Sequence, residues 1–336
     1  YEMIVRLVGS EMFIRDSANC VHNGVLIFSI NNKYEISKSI FQISSETCAY
    51  FQFNYIAIFN SFFSIDTNID FDESKNNAYE HSSFEGIYKK YPNIVKQSFA
   101  DSGSFMGDEV TAFGFFDGEE HFIGPCKTRS GNYPFCENIL LPAYSLTKTI
   151  SGTLGIAAYE KKYGSISNLL VRDIVPSCSD KKWKDITIEN LSDMTTGHYK
   201  STIYYGDEDS LASANFIFND LSHEEKVNFS CNYYPRKKKP GAEFVYHTSD
   251  TYLIGTTLNN LLSDKEEDDF FDDLLVPIFN YHNFSEQIKF TRRTNDPREQ
   301  PYTGWGMFLN RDDLIKLNSL LNSKKNYFFF KKNFLD

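Results

Sequence analysis

Ser145-Leu-Thr-Lys148 stands at the head of the apolar run Ile150-Ser-Gly-Thr-Leu-Gly-Ile-Ala-Ala-Tyr159. A run with so few polar positions predicts a buried helix, and a helix through the core constrains everything packed around it. Residues three apart on a helix share a face, with about 5–6 Å between Cβ atoms. A lysine amine at this spacing reaches the serine hydroxyl and can take its proton. The helix start adds free N–H groups and the positive end of the dipole, both favourable to an alkoxide or oxyanion. This is the spacing of a serine nucleophile served by lysine in place of histidine. An ordinary lysine, with a pKa of about 10.4, is neutral in only about one molecule in a few thousand at pH 7. The chemistry therefore demands burial or a cationic neighbour, and a second titratable group to share the proton.

The tetrapeptide alone is a weak signal, because the chain carries a second copy. Ser179-Asp-Lys-Lys182 follows Pro176-Ser-Cys178 in a polar stretch with no apolar run after it, and reads as a surface loop. The plainer reading of Ser145 is a helix N-cap, with Lys148 as a solvated first-turn charge. A second segment separates the two readings. Pro240-Gly-Ala-Glu-Phe-Val-Tyr246-His-Thr248-Ser-Asp250-Thr-Tyr252-Leu-Ile-Gly255 reads as a turn, a short strand-like run and a polar entry into a helix. Asp250 or Ser249 is the expected cap of that helix, which continues to Leu262. Tyr246 ends the extended piece, where a phenol can point into a cleft.

Ser-x-x-Lys followed downstream by Pro-Gly-x-x-Phe-x-Tyr-x-[Asn/Ser/Thr] and a helix bearing Leu-Ile-Gly resembles the serine β-lactamase-like hydrolases. That family includes class C β-lactamases, DD-peptidases, related esterases and oligomer-amide hydrolases. Leu191-Ser-Asp-Met-Thr-Thr-Gly197 is similar to its Leu-Leu-x-Met-Thr-Ser-Gly segment, and Val171-Arg-Asp-Ile-Val-Pro176 to the Val-x-x-Tyr-Leu-Pro before it. Gly304-Trp-Gly-Met-Phe-Leu-Asn-Arg-Asp-Asp313-Leu is similar to its Gly-Gly-Gly-Leu-x-Ser-Thr-x-x-Asp-Leu. The matches run in order from about residue 110 to 322, and the ordered set is more specific than any member. The resemblance implies Ser145 as the acylated nucleophile, Lys148 as its activator and Tyr246 as the group that moves the proton between serine, lysine and leaving group. It implies one oxyanion donor from the Ser145 N–H.

Two positions depart from the pattern. Thr248 stands where penicillin-type members carry an asparagine that meets the substrate amide, which favours a small ester or a peptide-like amide over a strict β-lactam substrate. Nothing after Leu314 matches the [Lys/His]-Thr-Gly strand that supplies the other oxyanion donor, so the C-terminal strands are expected to be missing from the sequence. Substrate contacts are expected from Thr248, from Tyr199 and Tyr205 on the loop after Met-Thr-Thr-Gly, and from Trp305. The non-catalytic alternatives are a penicillin-recognising receptor or sensor, and a vestigial scaffold.

Composition bounds the rest. The chain has 336 residues, 41% of them hydrophobic, enough for proper cores. A net charge of −11 argues against nucleic acid as a partner. Arg236-Lys-Lys-Lys239, between Pro235 and Pro240, reads as a solvated loop, and Asp264-Lys-Glu-Glu-Asp-Asp269 as a solvated helix start. No run approaches the roughly 20 apolar residues of a membrane span. The histidines, His198 and His247 among them, show no metal-ligand pairing, and no cofactor motif is present. Six cysteines lack metal spacing. Cys126 and Cys136 bracket a Gly/Pro-rich loop that a disulfide could close, and Cys178 and Cys231 fall in predicted loops of the helical region. Bridged, they point to a periplasmic or secreted protein; the other reading is six free thiols. Oligomeric state is not legible.

The fold expected is α+β: a β-lactamase/transpeptidase-like sandwich of antiparallel sheet against helices, with an all-helical lobe and a cleft between them. Residues 1–17 read as non-native sequence. Residues 18–106 read as a small β-rich domain with its linker, carrying strands in Gly24–Ile30 and Ala49–Phe59, and residues 107–336 as the hydrolase domain. Asp117-Gly118 between two extended runs in Thr111–Gly124 predicts a hairpin.

Overall fold

The computed structural model describes residues 21–33, 35–43, 54–62, 81–93, 111–128, 131–133, 135–263, 265 and 268–322. The expectations for residues 1–17, for the first half of the Ala49–Phe59 strand and for half of the 264–269 acidic run lie outside the described residues. The chain is mixed α+β and divides into two compact units. The first holds the described residues up to Pro142 together with Asn310–Ile315, and the second holds Ala143–Leu309 and the residues from Lys316 onward. That division falls inside the span read from the sequence as a single domain starting at residue 107.

The first unit is built on two small sheets. β1 (Gly24–Ile27), β2 (Ser39–Ile43) and β3 (Tyr55–Phe59) form an antiparallel meander in that order. The strict in-out alternation of β2, with Ser39, Phe41 and Ile43 buried, is the period-two pattern of a half-buried strand. In the second sheet β4 (His81–Ser83) lies parallel to β6 (His121–Ile123), and β5 (Gly114–Phe116) pairs antiparallel on its other side. The β5–β6 connection is the hairpin expected at Asp117-Gly118. The Asp117 carboxylate accepts from the N–H groups of Glu119 and Glu120, and Gly118 takes a φ of +100°, open only to glycine at little cost. α1 (Gly86–Lys90) covers this sheet, where Phe84, Ile87 and Phe122 form its buried cluster. The Cys126–Cys136 disulfide is present in this unit.

The second unit is helical. α2 (Leu154–Tyr163), α3 (Val171–Ile174), α4 (Ile188–Ser192), α5 (Leu211–Phe218), α6 (His223–Asn232), α7 (Thr248–Leu262) and α8 (Val276–Tyr281) surround one core. α9 (Arg311–Asn322) closes the described chain. Trp183 is fully buried and donates its Nε1–H to the Cys231 carbonyl at 2.8 Å, beside the Cys178–Cys231 disulfide. α2 and α7 cross closely because α2 presents small residues there. A Cβ at Gly155 would come within 3.0 Å of Leu258 Cδ1, so the glycine sets how near the two helices approach. That crossing brings the start of the Ser145 helix beside the start of α7.

Three local expectations are corrected. After helical geometry at Leu146 and Thr147, the Ser145 helix is π-helical over Lys148–Thr153 and returns to α-helix at Leu154; wide turns of this kind concentrate at functional sites. The strand-like run before Tyr246 joins no sheet. It is held instead by backbone bonds to the Met194–Gly197 segment: Val245 N–H to Met194 O at 3.0 Å and Gly241 N–H to Thr195 O at 2.8 Å. Neither Ser249 nor Asp250 caps α7, which starts earlier, at Thr248. The Thr248 N–H donates to the carboxylate of Glu208 from a distant loop, a tertiary contact that takes over the capping role.

Candidate active site

Tyr144, immediately before Ser145, has a φ of +43°, an uncommon conformation for a bulky residue and one that turns the chain sharply into the helix. The turn is closed by Leu146 N–H on Ala143 O and Thr147 N–H on Tyr144 O, leaving the Ser145 N–H outside that pattern. Ser145 and Leu146 are exposed, while Thr147 and Ile150 are buried in the core.

Two groups converge on this serine. Lys148 Nζ lies 3.2 Å from Ser145 Oγ, and the Tyr246 hydroxyl donates to the same oxygen at 2.6 Å. The lysine also donates to Thr248 Oγ1 at 2.9 Å and to the Gly304 carbonyl at 3.0 Å, and sits 4.9 Å from the centre of the Tyr246 ring. Gly304 is where the backbone must come close: a Cβ there would lie 2.5 Å from Thr248 Cγ2, so any side chain would push that carbonyl away from the lysine. The expected triad of Ser145, Lys148 and Tyr246 is thus assembled from residues up to a hundred positions apart.

Burial decides the electrostatics. Desolvation lowers the Lys148 pKa to about 8, against an opposing pull upward from the negative charge of Glu208. The Tyr246 phenol goes the other way, raised to about 12, chiefly by desolvation and further by Glu208, Tyr205 and Tyr204, with only the bond to Ser145 acting against. At pH 7 a lysine at about 8 is neutral in about one molecule in ten, whereas a phenol at about 12 is ionised in about one in 10⁵. Near neutral pH the amine is thus the group with a readily available lone pair, and the phenol keeps its proton.

Glu208 is the site residue that sequence reasoning missed. Its carboxylate accepts from both the N–H and the hydroxyl of Thr248. Because that hydroxyl donates to Glu208, its lone pairs face the lysine, and the chain Lys148–Thr248–Glu208 is a continuous run of charge-assisted bonds. Next to it, Asp207 accepts from the N–H groups of Lys200 and Ser201 and from His247 Nε2 at 3.0 Å, which ties the 199–209 loop to the residue after Tyr246. The only linear hint was an Asp-Glu pair in a loop, which usually reads as solvated surface.

The expected substrate contacts separate. Tyr205, itself at a φ of +58°, places its ring 4.8 Å from that of Tyr246 and so borders the site. Tyr199 is buried and its N–H is held by the Pro235 carbonyl, so its ring offers little surface to a ligand. Trp305 is buried against Phe216 and Tyr302, a core position reached because its neighbours are apolar on both sides. Thr248 is buried and its hydroxyl is already engaged by Lys148 and Glu208. His198 bonds the Lys182 carbonyl and packs edge-on against Trp183.

No family model matches the sequence. No curated protein matches it either. Solved structures do resemble the fold. One is a class C β-lactamase carrying a tyrosine-to-phenylalanine substitution, at a TM-score of 0.48 and 14% identity over 79% of this chain and 71% of that one. A class C β-lactamase in complex with cefoxitin matches at 0.44 and 17%, over 65% and 62%. A Bacillus anthracis protein assigned as a 6-aminohexanoate-dimer hydrolase matches at 0.43 and 12%, over 64% and 54%. The chain spans less than two thirds of the second and third.

Proposed function

We propose that this chain is a serine hydrolase of the β-lactamase-like type, cleaving an ester or amide through an acyl-enzyme on Ser145. The observation that carries the reading is the meeting of the Lys148 amine and the Tyr246 hydroxyl on Ser145 Oγ. In the acylation step neutral Lys148 takes the serine proton as Oγ attacks the acyl carbon. The Ser145 N–H, at the helix head, donates to the oxyanion that develops. Tyr246 gives its proton to the leaving alcohol or amine and is reprotonated by Lys148, so that expulsion of the leaving group returns both groups to their starting forms. Water then attacks the acyl carbon by the same path, releasing the acid and restoring the Ser145 hydroxyl.

Glu208 and Thr248 act on substrate choice. A carboxylate beside the base leaves the cleft without excess positive charge near the lysine, which suits a neutral or amine-bearing acyl group better than an anionic one. A small ester or a peptide-like amide is the substrate class we favour. The two disulfides fit an oxidising compartment, periplasmic or secreted. Among the described residues no helix is long and apolar enough to cross a membrane.

Intact mass spectrometry after brief exposure to a fluorophosphonate tests the nucleophile. One adduct per chain is expected, absent in Ser145→Ala and retained in Ser179→Ala. An adduct that survives Ser145→Ala overturns the reading. Turnover of p-nitrophenyl acetate separates an enzyme from a receptor that is acylated and stops there.

A further inference from the structure

The first unit carries a cluster that the hydrolytic reading does not use. His81 and His121 are direct partners in the parallel β4–β6 ladder, so their side chains leave the same face of adjacent strands, about 4.8 Å apart. Their rings meet edge to face at 5.2 Å. Asp312, in the first turn of α9, brings Oδ1 to 3.0 Å from His81 Nε2. One ligand-type atom from each of the three residues lies within 4.8 Å of the others. His121 is buried at 3% exposure, and its Nδ1 has no hydrogen-bond partner among the described residues. A buried ring nitrogen without a partner costs stability unless something fills the place.

We propose that His81, His121 and Asp312 bind a zinc-type divalent cation. Two imidazoles and a carboxylate are a ligand set that zinc accepts, with a fourth position left for water. Zinc–ligand bonds of about 2.0–2.1 Å put tetrahedral ligand atoms about 3.3 Å apart. The His81–Asp312 separation already approximates one such edge, and the His121 ligand atom lies within 4.8 Å of both. The side chains of His81 and Asp312 are 17% and 13% exposed, so an ion has a way in. Arg311 lies close enough to His121 to act on it electrostatically and opposes a cation. It directs Nη1 at Cys136 Sγ at 3.2 Å, and its effect is a weaker site than an all-neutral surround would give.

The benefit to the fold is direct. Among the described residues the sheet's buried cluster is Phe84, Ile87 and Phe122, with partly buried Tyr88, Tyr91, Phe113 and Phe115 against it, a small core for three short strands. An ion bound at this point links β4, β6 and the head of α9, whose ligands lie as much as 231 residues apart. Nothing linear marks the cluster, since none of the three occurs at a metal-ligand spacing.

The test is equilibrium dialysis of the whole chain, purified without a histidine tag and stripped with a chelator, against Zn²⁺, together with visible absorption on adding Co²⁺. We expect one Zn²⁺ per chain with micromolar affinity and the intense visible bands of tetrahedral Co²⁺. His81→Gln and Asp312→Asn should each weaken binding at least about 10-fold, while Ser145→Ala leaves it unchanged. Asp312→Asn is close to isosteric, so it serves should the histidine variants fail to fold. Absence of stoichiometric binding, or binding that survives both substitutions, overturns the proposal. The readout does not involve hydrolysis, so its failure would leave the serine site untouched.

Discussion

The two copies of Ser-x-x-Lys show how little a tetrapeptide means apart from its surroundings. At Ser145 the helix that follows enters the core, it is wide over Lys148–Thr153, and the lysine amine is held by Ser145, Thr248 and Gly304. At Ser179 the serine is exposed, and Asp180 caps the short 3₁₀ turn Lys181–Trp183 by accepting the Lys182 N–H. The Lys182 amine is drawn away to the Tyr234 carbonyl at 2.9 Å. Burial lowers the pKa of both lysines. Only one has a hydroxyl and a phenol in reach. Depression of the base is thus necessary and insufficient, and what separates the copies is the convergence of partners from other parts of the chain.

The largest effect should come from the serines themselves. Ser145→Ala is expected to lower kcat for p-nitrophenyl ester hydrolysis by at least about 10⁴-fold, as for loss of a nucleophile elsewhere. Ser179→Ala should stay within about twofold, as a surface change does. Steady-state kinetics on both variants decide it; equal losses would erase the distinction between the copies.

Next in size are the lysines. Lys148→Met removes the proposed general base and should cost about 10²–10⁴-fold in kcat, against little change in Lys182→Met. Tyr246→Phe falls in the same range or below it, since water can replace a proton donor more readily than a buried base. A Tyr246→Phe enzyme at full activity would break the proposed proton path.

These contrasts also show what the linear sequence held. Ser145, Lys148 and Tyr246 sit in segments whose residue order is itself the signal, so they were legible. So was the hairpin, because Asp-Gly dictates its own turn. Glu208 was not: its role exists only because the 199–209 loop folds back on the start of α7, and nothing local in that loop marks it. The same holds for the cap of α7, where a distant carboxylate displaced the nearby Ser249 and Asp250. Trp305 is readable as cleft or core for a related reason. An aromatic in a glycine-rich segment fits a cleft wall or a core equally well until its neighbours Phe216 and Tyr302 are known.

A smaller and more specific effect concerns Glu208. Lys148 must be neutral to act, so kcat/KM is expected to rise with pH through about 8. The Glu208 charge raises the lysine pKa. Glu208→Gln should therefore move the acid limb to lower pH, by about one unit or less, while the amide still accepts from the Thr248 N–H. A pH–rate profile that does not move, or moves up, would remove Glu208 from the site's electrostatics.

A third lysine sharpens the comparison from the stability side. Lys226 is fully buried, donates to the Phe216 carbonyl, and lies about 5 Å from the rings of Phe216, Tyr302 and Trp305. Desolvation lowers its pKa to about 7, further than that of Lys148, yet no nucleophile adjoins it. Its folded pKa lies below the unfolded value of 10.5, so between about pH 7 and 10.5 the unfolded chain binds more protons than the folded one. Stability must then rise with pH across that window, by up to about 1.4 kcal/mol per unit, and the contribution is lost as pH falls through 7. Lys148 adds a similar slope only above about 8. Lys226→Met should flatten the rise between pH 7 and 8 and increase stability at pH 7, while changing kcat less than about threefold. Urea unfolding at pH 7, 8 and 9 reads the slope directly. A Lys226→Met chain with the wild-type slope would mean that the buried amine keeps its proton through its carbonyl and ring contacts, and that burial alone does not set the base strength of lysine in this core.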